Sequence, residues 1–201
     1  MNISVILAHP DPKSFNHAIA RAAVAALGQS RHRVRFHDLY AERFDPILRA
    51  GEAPRGARLD ARLRRHTREL ADADGIVIIH PNSWGQPPAV LKGWVDRVIR
   101  PGVAYEFREG DAGDGIPVGL LKARAVVVFN TSNTPARREN AVFGDPLDAL
   151  WSKCIFDLCG VRRFHRRTFR VVVTSTRARR QQWLRQVAAV MHRQFPARSK
   201  P

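Results

Sequence analysis

The sequence has no apolar run long enough to cross a membrane. The longest runs, Ile76 to Ile79 and Ala125 to Phe129, are far shorter than the roughly 20 residues of a transmembrane helix. The N-terminus also lacks the basic, apolar and small-residue pattern of a secretory signal. We therefore expect a cytoplasmic protein without an integral membrane segment.

Cysteine is scarce. The two cysteines, Cys154 and Cys159, have a spacing that suits neither a redox C-x-x-C motif nor a zinc knuckle. We interpret both as reduced packing thiols and expect no metal site. The 201 residues, 44% of them apolar, suffice for one substantial core and leave little room for another. A single domain over residues 1–201 is predicted.

Acidic residues are few, 18 against 34 basic residues, which gives a formal net charge of +16. Such a charge favours anionic partners such as nucleotide phosphates, nucleic acid or acidic lipid, without choosing among them. The aromatic residues do not alternate with the arginine clusters, as a platform for stacking single-stranded bases would require. We therefore interpret the arginines as a solvated surface and do not expect nucleic-acid binding.

Short apolar, β-branched runs alternate with segments of helical length. The runs are Ile3 to Ala8, Arg33 to Leu39, Gly75 to His80, Ala125 to Asn130 and Phe169 to Thr174. The helical segments are Asn16 to Leu27, Arg58 to Ala71, Pro88 to Arg100, Pro146 to Cys159 and Arg177 to Phe195. This alternation predicts an α/β fold with a doubly wound, five-stranded parallel sheet and helices on both faces. The irregular stretch Gly102 to Leu121, with Gly110 and Gly113, is predicted to be a mobile surface loop.

The loops after strands 1, 3 and 4 are the candidate ligand site. A sheet of order 2-1-3-4-5 binds ligands beyond the carboxyl ends of its strands, where the winding reverses. These loops read HPDPKSFN (His9 to Asn16), HPNSWGQPP (His80 to Pro88) and NTSNTP (Asn130 to Pro135). All three are rich in small polar, proline and aromatic residues, so we expect them to form one site.

The first loop predicts an anion cradle. Ser14, Phe15 and Asn16 precede the first helix, where backbone N–H groups and the helix dipole favour an anion. The loop contains no glycine, so it is neither a Walker loop nor a dinucleotide G-x-G-x-x-G motif. In the second loop, prolines and Gly85 stiffen a turn that presents Trp84 to a planar ring, although an isolated Trp84 is equally compatible with a core or interface role.

These segments resemble a known family. HPDPKSFNHAIA, the block PNSWGQPPAVLKGWVDRVIRPGVAY (Pro81 to Tyr105), NTSNTP and FGDPLDALW (Phe143 to Trp151) look like the NAD(P)H:quinone oxidoreductase family of flavodoxin-like enzymes. The resemblance covers residue 1 to about 175. It implies a flavodoxin-like fold, two-electron transfer from NAD(P)H to a quinone or similar acceptor by a ping-pong mechanism, and a homodimer with the active site near the subunit boundary.

The resemblance also implies which residues hold the flavin: His9, Ser14, Phe15 and Asn16 from the first loop, Pro81, Asn82, Ser83, Trp84 and Gly85 from the second, and Thr131, Ser132, Asn133 and Thr134 from the third. The pattern is similar to that of FAD-binding members, so FAD is expected; FMN is the alternative because no adenine subsite is evident.

The chain departs from the family pattern at the proton relay. Some relatives carry a tyrosine and a histidine where this sequence has Arg137 or Arg138 and Phe143, which leaves Arg137 and Phe143 as candidates and the catalytic residues unassigned. The alternative function is a non-catalytic flavin-binding electron carrier or a regulatory, sensing protein.

Overall fold

In the computed structural model, which describes residues 1–107, 115 and 117–197, a parallel sheet forms the centre of the fold. Its five strands are β1 (Asn2–Leu7), β2 (Arg33–Asp38), β3 (Gly75–Pro81), β6 (Ala125–Ser132) and β7 (Phe164–Arg170). They lie in the order β2-β1-β3-β6-β7. The predicted α/β class and the doubly wound strand order are therefore confirmed. A separate antiparallel pair joins β4 (Tyr105–Glu106) to β5 (Val118–Gly119).

Helices cover both faces of the sheet. They are α1 (Phe15–Gln29), α2 (Ala61–Ala71), α3 (Ala89–Val98), α4 (Ala136–Arg138), α5 (Pro146–Ala149) and α6 (Arg177–Gln194). A 3₁₀ turn spans Ala50–Glu52, and π-helical turns span Glu139–Phe143 and Leu150–Asp157. The side chains of β3 and β6 are buried on both faces, which explains their nearly continuous apolar sequences.

Two apolar clusters lie on opposite faces of the sheet. One packs Ile3, Val5 and Leu7 of β1 against α1 and α6. The other packs Ile6 and residues of β3 and β6 against α2, α3 and the segment from Leu147 to Phe156. This two-sided packing fixes the strands, and so fixes where the loops at their carboxyl ends meet.

The predicted position of the last strand is wrong. The sequence indicated Phe169 to Thr174, whereas β7 comprises Phe164–Arg170 and pairs in parallel with Val126 to Ser132. As the edge strand, β7 buries only Phe169, so its other positions tolerate the polar sequence FHRRTFR. The apolar Val172 and Val173 instead follow the strand and reach the candidate site.

The prediction for the cysteines is half wrong. Cys159 is buried, and burial raises the pKa of its thiol to about 12, but Cys154 is exposed. Residues five apart point to different sides of a helix, so burial of one cysteine does not imply burial of the other. Both thiols are free.

The predicted loop Gly102 to Leu121 contributes both strands of the β4–β5 pair. Its glycines Gly110 and Gly113 lie outside the described residues. None of the described helices is long and apolar enough to span a membrane.

Candidate functional site

Two adjoining cavities lie beyond the carboxyl ends of β1, β3 and β6. The larger, about 600 Å³, is lined by Asn82, Trp84, Gly85, Ser132, Asn133, Thr134, Arg138, Glu139, Phe143 and Pro146. The smaller, about 220 Å³, is lined by His9, Phe15, Asn16, Pro81, Asn82, Thr131, Ser132, Asn133, Val172 and Val173. The cavities share Asn82, Ser132 and Asn133. The three predicted loops therefore meet, and every predicted flavin residue except Ser14 and Ser83 lines a cavity.

The smaller cavity contains an unsatisfied buried acceptor. The side-chain nitrogen Nδ2 of Asn16 donates to Thr131 Oγ1 at 2.9 Å, which joins α1 to β6. Asn16 Oδ1 is buried and has no hydrogen-bond partner in the described part of the chain. Buried acceptors in folded proteins are nearly always paired, so this oxygen fits a donor supplied by a ligand.

His9 adds a donor beside this acceptor. Its Nδ1 accepts the backbone N–H of Asp11 at 3.1 Å, and burial lowers the pKa of the ring. The neutral ring therefore carries its proton on Nε2, from which it can donate to an anion in the smaller cavity.

Ser14 has a structural role at the start of α1. Its Oγ accepts the backbone N–H of His17 at 3.3 Å and lies 3.0 Å from His17 Nδ1. The other ring nitrogen of His17 lies 3.0 Å from Asp38 Oδ2. The Ser14 hydroxyl therefore belongs to a series of hydrogen-bonding groups that runs from the start of α1 to Asp38, and Ser14 lines neither cavity.

Trp84 occupies the tip of a tight turn. Ser83 and Gln86 exchange two backbone hydrogen bonds of 3.0 Å, and Trp84 and Gly85 between them have left-handed φ angles of 58° and 75°. The Gly85 N–H donates to Asn82 Oδ1 at 2.8 Å. A Cβ on Gly85 would lie 2.9 Å from the ring of Pro146, so only glycine fits there. The Trp84 side chain is fully exposed and available to a ligand or a partner.

A buried polar network supports the strand ends beneath the cavities. His80 Nδ1 lies 2.8 Å from the carbonyl oxygen of Pro81, and its Nε2 accepts from Trp151 at 3.0 Å and from Asn130 at 2.8 Å. Burial lowers the pKa of His80 to about 3, so the ring is neutral. Arg166 extends the network, because it donates hydrogen bonds to Asn130 Oδ1 at 2.6 Å and to Asp145 Oδ2 at 2.9 Å.

This network ends at the turn that carries the far wall of the larger cavity. Gly144 and Asp145 have φ angles of 68° and 49°, and the flanking Phe143 and Pro146 line the cavity. Phe143, predicted as a candidate, is half exposed there. Arg137 is exposed and lines neither cavity, whereas its neighbour Arg138 does.

Sequence reasoning missed Glu139, which is buried in the wall of the larger cavity. Its Oε1 accepts from Asn82 Nδ2 at 3.1 Å. Glu139 begins a π-helical turn, and no hydrophobic pattern indicated that this position would face inward. The one available signal was a lone carboxylate between the third loop and the Gly144–Asp145 turn.

A second cluster of titratable residues lies apart from both cavities. His37, Glu42 and His66 place possible metal-ligating atoms within 4.8 Å of one another. Trp94 Nε1 donates to His66 Nδ1 at 3.1 Å, so the neutral ring carries its proton on Nε2, which points at Glu42. A protonated nitrogen cannot ligate a metal, and the geometry favours a hydrogen-bonded cluster.

A doubly wound sheet with a polar and an aromatic cavity at its switch point defines a flavodoxin-like protein. The profile of a family described as having a flavodoxin-like fold matches residues 1–192, and the chain belongs to this family. Among its relatives is an uncharacterized NAD(P)H oxidoreductase of Haemophilus influenzae, which is 32% identical over 170 residues, 80% of this chain and 79% of the relative.

A second relative is NAD(P)H dehydrogenase [quinone] 1 of Cavia porcellus, which is 33% identical over 122 residues. The match covers 51% of this chain and 44% of that relative, less than half its length. The crystal structure of Smu.1420 from Streptococcus mutans is similar with a TM-score of 0.82 and 27% identity, covering 96% of this chain and 100% of the other. The resemblance to NAD(P)H:quinone oxidoreductases is thereby confirmed, as is the prediction of an oxidoreductase enzyme.

One more distant solved structure has the same fold. An FMN-dependent NADH-azoreductase from Bacillus anthracis, described in complex with FMN, has a TM-score of 0.75 and 15% identity, covering 96% of this chain and 99% of the other. At this identity the likeness shows the shared fold.

Proposed function

We propose that this chain binds a flavin across the two adjoining cavities and uses NAD(P)H to reduce a quinone or similar acceptor. The observation that carries the proposal is the continuity of the two cavities through Asn82, Ser132 and Asn133 at the switch point of the sheet. A polar cavity next to a larger one with aromatic walls suits a ligand with a phosphate at one end and a planar ring at the other.

The residues of the smaller cavity fit the sugar-alcohol and phosphate part of a flavin. Asn16 Oδ1, which has no partner among the described residues, can accept a hydrogen bond from a hydroxyl group of the flavin. His9 Nε2–H can donate a hydrogen bond to a phosphate oxygen. The N-terminus of α1 adds backbone N–H groups and a favourable dipole. The formal net charge of +16 further favours an anionic cofactor and an anionic electron donor.

The residues of the larger cavity would orient the ring and its reaction partner. Asn133 and Thr134 offer hydrogen-bonding groups, and Trp84 and Phe143 offer apolar surface from which water is excluded when a ring packs there. A bound flavin supplies the ability to take two electrons from NAD(P)H and to pass them on. The donor and the acceptor would occupy the same cavity in turn, which is the physical basis of a ping-pong mechanism.

Cofactor identification is the first test. We expect purified protein to carry, or to take up, one flavin per chain, with FAD as the expected form and FMN as the alternative, which the complex with the azoreductase supports. Heat release followed by mass spectrometry identifies the cofactor. A colourless protein that fails to quench flavin fluorescence on titration would remove the proposal.

Stopped-flow spectroscopy then tests the electron transfer. NAD(P)H alone should reduce the bound flavin, a quinone added afterwards should reoxidise it, and steady-state plots should be parallel. If both nicotinamide cofactors reduced the bound flavin no faster than free flavin, the chain would be a flavin-binding carrier or a sensing protein.

Two further expectations stay predictions. The exposed aromatic side chains Trp84 and Phe107 are compatible with a homodimer that completes the site, and light scattering at micromolar concentration measures the assembly. A fully active monomer would contradict it. The cytoplasmic location can be tested by cell fractionation and immunoblotting.

A further inference from the structure

We infer that Glu139 is a catalytic proton-exchanging residue that supplies the acceptor in the larger cavity with its second proton. This inference rests on the proposed function and assigns to that site a residue that the sequence motifs do not indicate. It follows from the proton balance of the reaction and from the chemistry of the cavity wall.

The overall reaction consumes one proton from solution. NAD(P)H delivers two electrons and one proton as a hydride equivalent, but a quinone becomes a hydroquinone only when two O–H bonds have formed. The remaining proton must enter the cavity through water or a titratable side chain. Arg137 and Phe143, which stand where some relatives have a tyrosine and a histidine, do not supply it: phenylalanine has no exchangeable proton, and arginine stays protonated.

Glu139 is the one carboxyl group among the described residues that line the larger cavity. The wall otherwise presents amide, hydroxyl, aromatic and apolar groups, and Arg138 is its other charged side chain. Of these groups, a carboxyl is the type that both releases and takes up a proton during a catalytic cycle. Within the described wall, the proton exchange falls to Glu139.

The carboxyl group is held in place. Glu139 is 2% exposed, and its Oε1 accepts from Asn82 Nδ2 at 3.1 Å. Asn82 is itself fixed by the Gly85 N–H, which donates to its Oδ1 at 2.8 Å. Oε2 accepts no hydrogen bond from the described residues, so it is the oxygen available to carry the proton. A fixed carboxyl with one uncommitted oxygen in the cavity wall is suited to proton transfer.

In the proposed step, Glu139 transfers its proton to the acceptor after the acceptor has received two electrons. The O–H bond of the protonated Glu139 carboxyl breaks, and a lone pair of the acceptor oxygen forms a new O–H bond with that proton. Glu139 becomes a carboxylate and regains its proton from water. The electron donor is NAD(P)H and the electron acceptor is the quinone, so no other reactant is required.

Glu139→Gln distinguishes a role in proton transfer from a structural role, because the glutamine amide oxygen can still accept the hydrogen bond from Asn82 but the side chain cannot exchange a proton as a carboxyl does. We expect flavin content and the rate of reduction by NAD(P)H to stay within about twofold of wild type, while reoxidation by benzoquinone slows on the order of 100-fold. The pH dependence that the Glu139 carboxyl gives to reoxidation should also disappear, whereas a solvent isotope effect should remain, because water then supplies the proton. Glu139→Asp should recover part of the rate, and Asp157→Asn, an exposed carboxyl change away from the cavity, should behave as wild type.

Infrared difference spectra provide a readout other than activity. With ¹³C-labelled glutamate, the reduced-minus-oxidised spectrum of the flavin-loaded protein should contain a protonated-carboxyl band that is absent from Glu139→Gln. The inference is overturned if Glu139→Gln reoxidises with the wild-type rate and pH profile, or if it loses its flavin, which would make Glu139 a structural residue. Wild-type protein that NAD(P)H fails to reduce would instead overturn the proposed function, and with it this role.

Discussion

Two regions of this molecule concentrate polar and titratable side chains, and they differ in how completely those groups are paired. Between β2 and α2, both ring nitrogens of His37 and His66 and both carboxylate oxygens of Glu42 make hydrogen bonds within the chain. At the strand ends, by contrast, Asn16 Oδ1 is buried without a partner among the described residues, and the Trp84 ring is fully exposed.

The difference teaches that pairing, more than the density of titratable residues, distinguishes a ligand site from a structural cluster. A fully paired cluster stabilises the fold, and an added ligand would have to displace hydrogen bonds already made. An unpaired buried acceptor gains a hydrogen bond when a ligand arrives. Changes in the His37–Glu42–His66 cluster should therefore alter the free energy of unfolding, and changes at the cavities should alter ligand affinity.

The largest expected effect is on flavin affinity in Asn16→Asp. The substitution preserves shape but places a negative charge in the smaller cavity, where the flavin phosphate is proposed to bind. Repulsion between like charges in a partly desolvated site costs several kcal/mol, so the dissociation constant should rise on the order of 100-fold. Titration of the apoprotein with flavin, followed by fluorescence quenching, measures it.

Asn140→Asp is the matched control, because it adds the same charge at an exposed position that lines neither cavity. It should leave the affinity within about twofold of wild type, since exposed charges are screened by solvent and salt. Equal affinity in Asn16→Asp and wild type would place the phosphate elsewhere.

The location of this unpaired region could be predicted from the sequence, because strands buried on both faces have nearly continuous apolar sequences that are easy to recognise. The three loops follow such strands, and the parallel order brings them together. β7 could not be located in this way, because the edge-strand sequence FHRRTFR lacks a continuous apolar run and the strand pairs with β6 alone. The inward position of Glu139 depends on a π-helical turn, for which local sequence provides no signal.

Glu42→Gln should produce the next largest effect, on stability. Burial raises the pKa of Glu42, but hydrogen bonds from His37 and His66 outweigh burial and hold the pKa well below its usual range. Because the folded-state pKa is lowered, this contribution is present above the unfolded pKa of about 4.3 and is lost as the pH falls towards the folded value. At pH 7 the variant should lose roughly 1.5–3 kcal/mol, the value of a hydrogen bond to a charged group.

Urea unfolding at several pH values measures this loss. The loss should shrink below about pH 4, where Glu42 takes up a proton in the unfolded state but remains charged in the folded state. Burial also lowers the pKa of His66, so wild type should start to lose stability as the pH falls below about 6.5, the unfolded value. Glu106→Gln, which removes a partly exposed carboxylate paired with Arg55, is the control and should change stability by less than about 1 kcal/mol. A pH-independent difference for Glu42→Gln would show that its charge does not stabilise the cluster.

Trp84→Ala should have a smaller effect, and it should change flavin affinity without changing the stability of the fold. The ring is fully exposed and its backbone is left-handed, so its loss removes little packing from the fold. If the ring packs against bound flavin, the dissociation constant should rise about tenfold, the equivalent of about 1.4 kcal/mol. Phe36→Ala, an exposed aromatic on β2 that lines neither cavity, should leave affinity unchanged. Unchanged flavin affinity in Trp84→Ala would assign its exposed ring to a partner instead.

The smallest expected effect is that of zinc on wild-type protein, although His37, Glu42 and His66 have a spacing compatible with a metal site. His37 lies between Glu42 at 2.8 Å and Glu69 at 2.7 Å, so each of its ring nitrogens already has a carboxylate partner. The Trp94 N–H fixes the proton of His66 on the nitrogen that faces Glu42. Zinc would have to displace the proton of His66 and the hydrogen bonds that both rings already make, so we expect no shift in the melting temperature when it is added.

Trp94→Phe sharpens this last prediction because it removes the indole N–H but retains an apolar ring in the core. His66 Nδ1 then loses its donor, and the ring can move its proton to Nδ1 and offer Nε2 to a metal. The variant, which is destabilised by lost packing, should be restabilised by zinc in thermal unfolding, whereas wild type should not. Stabilisation of wild type by zinc would show that the hydrogen bond from Trp94 does not control the tautomer, and that pairing within the chain does not keep this cluster from binding a ligand.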